Sequence, residues 1–181
     1  MNREIAPIDE ALPAVRALFA DARVFFKIIG GVAVVHHGYA RLTEDIDLLV
    51  DSAEQPALDI VLAKNGFTRE SRTRLRHVLT GVRVDLLFAG EPGPRAGEPA
   101  YPSRNAVMVS VDDADVVSLS TLITMKLRAR RHQDLADVVA LLKLADEARF
   151  VSLEAEIPND LRPALADLRR DANEELALGE P

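Results

Sequence analysis

The chain has no cysteine and no tryptophan, and only two tyrosines and six phenylalanines among its 181 residues. Without cysteine there can be no disulfide, no zinc–thiolate site and no thiol catalysis. With aromatics at 4%, the core must rest on Leu, Val, Ala and Ile, and platforms for stacking bases are scarce. No apolar run reaches the roughly 18–20 residues that a membrane helix needs. No secretory or twin-arginine leader is visible, because Asp9 and Glu10 appear at once. The expectation is a cytoplasmic protein with no membrane partner. Positive charge does not dominate either: the net charge of −7 argues against a protein that coats nucleic acid non-specifically. P-loop, G-x-S-x-G and dinucleotide fingerprints are all missing.

What is present describes a globular chain. Apolar residues make up 48% and charged residues 28%, which suits a packed core rather than disorder. The length fits one domain with a helical appendage. The hydrophobic period divides it into an α/β core over 1–115 and a helical C-terminal part over 116–181, an α+β architecture with a mixed β-sheet flanked by helices. Asp9 is placed to cap a helix running to Ala22, with Pro13 in its first turn. Strands are expected over Val24–Ile29, Asp45–Val50, Phe67–Ser71, Leu75–Leu79 and Val82–Phe88, and one more over Val107–Val111. Helices are expected over Gly31–Gly38 (with Val32, Ala33 and Val35 inward), Gln55–Asn65, Leu119–Arg130, Gln133–Ala148 and Leu161–Leu176. Residues 90–105 hold four prolines and three glycines and read as a loop.

The chemistry concentrates between Gly30 and Val50. A glycine pair, Gly30-Gly31, ends an apolar run, and 14 residues after Gly31 come Asp45 and Asp47. Residues i and i+2 of a strand point to one face, so these carboxylates project side by side. Two adjacent carboxylates repel unless a cation lies between them, and oxygen-only ligands suit Mg²⁺. Glycines without a Cβ let a phosphate approach the backbone. A third acid, Asp85, lies on the polar face of the Val82–Phe88 strand beside Arg83. It is either a solvent-facing charge or the third member of a carboxylate cluster. Three acids on one or two Mg²⁺ ions would neutralise and orient a nucleoside triphosphate for attack at its α-phosphate.

Two basic clusters stand out: Arg69, Arg72, Arg74, Arg76 and His77, and Lys126, Arg128, Arg130, Arg131 and His132. Each fits a polyanion-binding face, and each also fits solvated charge on a hairpin or at a helix end. Lys126 and Arg130 are four apart and share a helix face. Asp134 would either hold one of them or interact with its own helix dipole. Arg41 would contact a substrate phosphate, pair with Asp51 or cap its turn. His36-His37 has no acidic or thiol ligand set nearby and reads as a helix end.

The segment Gly30-Gly31 through Val50, with its Arg41-x-Thr43-x-Asp45-Ile-Asp47 core, resembles the first motif of the polymerase-β-type nucleotidyltransferase superfamily. More narrowly, the chain resembles the AbiEii/MenT-like group, which includes toxins of toxin–antitoxin pairs. Aminoglycoside and lincosamide nucleotidyltransferases share a similar first motif. The resemblance implies Asp45, Asp47 and Asp85 as ligands of Mg²⁺. It implies Gly30, Gly31, Arg41 and Thr43 at the nucleotide, and Lys126, Arg130 and Asp134 as further site residues. Many members have Gly-Ser where this chain has Gly30-Gly31, so one hydroxyl donor is missing. The reaction implied is NMP transfer from an NTP to an acceptor hydroxyl. The acceptor implied is RNA, such as a tRNA 3′ end, with a cognate antitoxin as partner. The alternatives are a small antibiotic acceptor and a catalytically silent nucleotide- or partner-binding module.

Overall fold

The structure is a computed structural model that describes residues 6–93, 98–107 and 115–179. It is α+β, with a five-stranded mixed sheet flanked by helices. The strands are β1 (Phe26–Ile29), β2 (Asp45–Val50), β3 (Phe67–Ser71), β4 (Arg74–His77) and β5 (Arg83–Phe88), in the spatial order β1-β2-β5-β4-β3. Among these five strands the central β2–β5 pair is parallel, and β1–β2, β5–β4 and β4–β3 are antiparallel. Parallel neighbours need a long crossover. Here it runs through the outer hairpin β3–β4, which brings β5 back beside β2.

Alternation sets the two faces of the central strands. In β5, Val84, Leu86 and Phe88 are buried, while Arg83, Asp85 and Leu87 are only partly so. In β2, Ile46, Leu48, Leu49 and Val50 are buried and Asp45 and Asp47 are partly so. One face is therefore apolar throughout. The other is apolar at its Leu49–Leu87 end and charged at its Asp45–Arg83 end. The helix α1 (Pro7–Ala22) buries Ala11, Val15, Leu18 and Phe19, an i, i+4, i+7, i+8 stripe that packs on β2 and on α3 (Gln55–Val61). Each such Val, Leu or Phe removed from water stabilises the fold by roughly 1.5–3 kcal/mol.

From residue 119 onward every element is a helix. A short helix α4 (Arg104–Val107) precedes α5 (Leu119–Ala129), α6 (His132–Lys143), α7 (Glu147–Glu156) and α8 (Arg162–Ala177). Helix α5 packs against α6 and α7, and α6 against α8. The segment before α5 also joins the sheet: Ile28 donates to the Asp115 carbonyl at 2.6 Å, and Val117 donates to the Ile28 carbonyl at 3.1 Å. A single hydrophobic cluster runs from Ala11 to Ala172 through sheet and helices alike.

Several expected boundaries move. Helix α1 starts at Pro7, behind the Ala6 N-cap, rather than at Asp9. Proline at the first helical position has no N–H to leave unsatisfied, and Pro13 falls inside the helix. In α2 (Gly30–His36) Val32 and Ala33 are buried as expected, but Val34 joins them in place of Val35, which is exposed. The 55–65 segment ends its α-helix at Val61 and closes with a 3₁₀ turn over Ala63–Asn65, before the left-handed Gly66. Strand β4 stops at His77, because Gly81 (φ 72°) turns the chain and its N–H bonds back to the His77 carbonyl. The helix expected over Gln133–Ala148 ends at Lys143. Asp146 caps a separate helix by accepting a hydrogen bond from the Arg149 N–H at 2.8 Å. Of the strand expected at Val107–Val111, Val107 ends α4 and the rest lies outside the described residues.

Candidate active site

The parallel register of β2 and β5 places Asp47 opposite Asp85 and Asp45 opposite Arg83. Asp45 and Asp47 share a face by the strand period, and the register adds Asp85 to it. Two of the three acids have cationic partners. Arg83 Nη2 lies 3.3 Å from Asp45 Oδ2, and Arg74 Nε donates to Asp85 Oδ1 at 2.7 Å. Arg74 is the direct cross-strand neighbour of Asp85 on β4. Asp47, between them, has no hydrogen-bond partner among the described residues. Its pKa is raised to about 6, first by burial and then by the charges of Asp45 and Asp85, with Arg131 and Lys126 pulling it part of the way back.

The glycine pair is fitted to these side chains. Gly30 has φ +60°, and a Cβ there would lie 1.9 Å from Asp47 Oδ2. At Gly31 a Cβ would meet Thr43 Oγ1 at 2.5 Å and Arg41 Nη2 at 2.9 Å. Both positions need glycine so that α2 can start directly at the end of β1 with the carboxylate against its backbone. Thr43 Oγ1 in turn donates to the Asp45 carbonyl at 3.2 Å and braces the entry to β2.

A second constellation comes from α5 and α6. Lys126 is buried, with Nζ 2.7 Å from Asp137 Oδ2 and 3.2 Å from Asp134 Oδ1. Arg131 grips Asp134 with two hydrogen bonds, Nε at 2.6 Å and Nη2 at 3.2 Å. Burial pushes the Asp134 carboxyl up, but the Arg131 hydrogen bond and the charges of Lys126 and Arg131 outweigh it and hold the group below its ordinary value. Asp137 is fully buried and also receives Gln133 Nε2 at 3.0 Å and Arg41 Nη2 at 3.4 Å. Arg41 therefore pairs with Asp137, not with Asp51. Asp51 accepts from the Ala53 N–H and lies near Arg104.

Gly30, Asp47, Lys126 and Asp134 line one half-open cavity of about 550 Å³, together with Tyr101 and its neighbours in 98–106 and with Glu156 and Pro158. Arg41, Thr43 and Gly31 stand behind this lining as braces. Arg130 lies outside it: it is exposed, caps α5 in a left-handed conformation (φ 52°), and its side chain has no partner among the described residues. Asp137 and Arg131 were not singled out as site residues from sequence. The signal for Asp137 was its place on the stripe Asp134, Asp137, Val138, Leu141 that α6 buries: a carboxylate on a core-facing position demands a cation.

Among the described residues, no three ligating side chains are placed closely enough to hold a metal ion. Arg83 and Arg74 hold two of the three carboxylates. The donor chemistry nevertheless fits Mg²⁺. The donors are carboxylate oxygens, and Asp47, held beside Asp45 and Asp85 with no ion pair among the described residues, is a carboxylate that a divalent cation would neutralise.

No family model matches the sequence, and no curated protein matches it. Solved structures do. The solution structure of the antibiotic-resistance factor ANT(2″)-Ia has a TM-score of 0.52 at 14% identity, over 91% of this chain and 96% of that one. A crystal structure of ANT(2″)-Ia in complex with adenylyl-2″-tobramycin has a TM-score of 0.47 at 13% identity, over 92% and 97%. The chain thus shares its α+β fold with the antibiotic-resistance factor ANT(2″)-Ia.

Proposed function

We propose that this chain transfers an NMP from an NTP to an acceptor hydroxyl and releases pyrophosphate. The observation that carries the reading is Asp47, a carboxylate flanked by two others with no cation of its own, at the wall of the cavity that holds Lys126. Asp45, Asp47 and Asp85 would hold Mg²⁺, which when bound supplies charge neutralisation and a lowered pKa for the attacking hydroxyl. Lys126 is immobilised by Asp134 and Asp137, so its charge is preorganised toward the triphosphate rather than mobile. Gly30, without a Cβ, lets the Asp47 carboxylate lie against the start of α2. The acceptor oxygen forms its bond to the α-phosphorus as the bond to the β-phosphate's bridging oxygen breaks. The hydroxyl proton passes to a carboxylate of the trio, and pyrophosphate leaves.

The acceptor we favour is a small cationic polyol of the aminoglycoside kind. Glu98 and Glu156 add negative charge to the wall of the half-open cavity. Much of the basic character that pointed to RNA is already neutralised: Arg69 pairs with Asp59, Arg72 with Glu91, Arg76 with Glu70, and Lys126 and Arg131 with Asp134. The fold shared with an antibiotic-resistance factor is compatible with this acceptor. The RNA reading, with its toxin role, keeps one specific support: Arg128, at the cavity, and Arg130 are exposed cations with no acidic partner among the described residues. The experiment is transfer of α-³²P label from each of the four NTPs, with Mg²⁺, to an aminoglycoside panel and separately to total tRNA. Label on a small molecule supports the favoured reading. Label on tRNA moves the chain to the RNA-modifying one. Label on neither, with every nucleotide, contradicts transfer.

A further inference from the structure

The arginines from β3 to β5 are alike in sequence but not in partners. Arg76 pairs with Glu70, Arg72 with Glu91 and Arg69 with Asp59, acids that lie away from the carboxylate trio. The ion-pair partners of Arg74 and Arg83 are members of the trio: Asp85 for Arg74, Asp45 for Arg83. The strand register imposes this. Arg74 faces Asp85 across β4–β5, and Arg83 faces Asp45 across β2–β5; directly opposite residues in a sheet have their side chains in contact. Both arginine side chains are about two-fifths exposed (41% and 42%) and so reach solvent.

We propose that Arg74 and Arg83 are exchangeable counter-ions of the candidate active site. They neutralise Asp85 and Asp45 while no divalent cation is bound, and they turn onto the phosphates of the nucleotide once one is. This rests on the nucleotidyltransferase reading above. A divalent cation on Asp45 and Asp85 must compete with the charges that Arg83 and Arg74 already place on these carboxylates, so the arginines oppose cation binding. Once released, each presents a planar fork of donors matched to phosphate oxygens. The same two side chains therefore weaken binding of the bare cation and strengthen binding of the cation–nucleotide complex.

The opposed signs make the test. Mn²⁺ affinity is measured on the full chain by electron paramagnetic resonance, without nucleotide and then with the tightest-binding of the four α,β-methylene nucleoside triphosphates. The proteins are wild type, Arg74→Gln/Arg83→Gln, Arg83→Gln alone, the charge-matched control Arg76→Gln, and Asp47→Asn. Each is first checked for folding by circular dichroism. The single variant replaces the double one if the latter does not fold. The expected result is that the double variant binds bare Mn²⁺ about tenfold more tightly than wild type, and the Mn²⁺–nucleotide complex about tenfold more weakly. The Arg76→Gln control should move either affinity by no more than about twofold, as screened charge does. A double variant that behaves like the control in either measurement overturns the proposal. If wild type binds Mn²⁺ and Asp47→Asn does not, the nucleotidyltransferase reading stands whatever the arginine variants do. If neither wild type nor any arginine variant binds Mn²⁺, reading and proposal fall together.

Discussion

Gly30 and Asp47 are the residues on which the site turns, and each makes a prediction. Alanine at Gly30 must adopt φ +60° and puts a Cβ against Asp47 Oδ2. The left-handed backbone alone costs about 1–2 kcal/mol, and the clash must also push the carboxylate out of place. Urea unfolding of Gly30→Ala should show at least that loss; unchanged stability would mean that the helix start is not as tight as described. For Asp47 the folded-state pKa of about 6 lies above the ordinary 3.8. The protonated form therefore favours folding, and that contribution is complete below about pH 4 and lost as pH rises through about 6. Asp47→Asn removes the loss. Without divalent cations the variant should be more stable than wild type at pH 8, by up to about 3 kcal/mol, and equal to it at pH 4. Equal stability at both pH values would contradict the electrostatic account of the trio.

At the scale of elements, the α5–α6 connection shows what stability and chemistry each require. Arg130 occupies a left-handed C-cap that favours glycine, so Arg130→Gly should stabilise the fold by about 0.5–1 kcal/mol, read as a raised Tm. If its guanidinium meets RNA or phosphate, the same variant loses affinity while gaining stability. A variant that loses stability would show that Arg130 is held by more than its backbone. The sequence is legible where period and punctuation agree. The alternation Val84, Leu86, Phe88 against Arg83, Asp85 announced β5, and the glycine pair with the two aspartates announced the α2–β2 unit. It is not legible where tertiary partners decide. No glycine or proline marks the break between α6 and α7, which depends on Asp146 acting as a cap. Asp137 was hidden because a helix acid announces its cation only when the facing helix is placed. The pairing of Arg74 and Arg83 with the trio requires a register between strands far apart in sequence.

For the whole molecule, the sheet and the C-terminal helices share one core. A single hydrophobic cluster runs through both, and the cavity is built from Gly30 and Asp47 on one side and from α5, with Lys126, on the other. Among the described residues, no helix is long and apolar enough to cross a membrane. The net charge of −7 is compatible with a cationic acceptor, and the internal pairing of Arg69, Arg72, Arg74, Arg76 and Arg83 leaves little free positive field there to attract a polyanion. The central claim is that the α–β phosphate bond of an NTP is broken at the carboxylate trio. The most direct measurement is the phosphorus product formed when wild type and Asp47→Asn are incubated with Mg²⁺, NTPs and a pool of aminoglycosides and tRNA, resolved by ³¹P NMR. The account predicts pyrophosphate, one for each NMP joined to acceptor, and its loss in Asp47→Asn. Orthophosphate as the first product, or pyrophosphate formed equally by the variant, would contradict it.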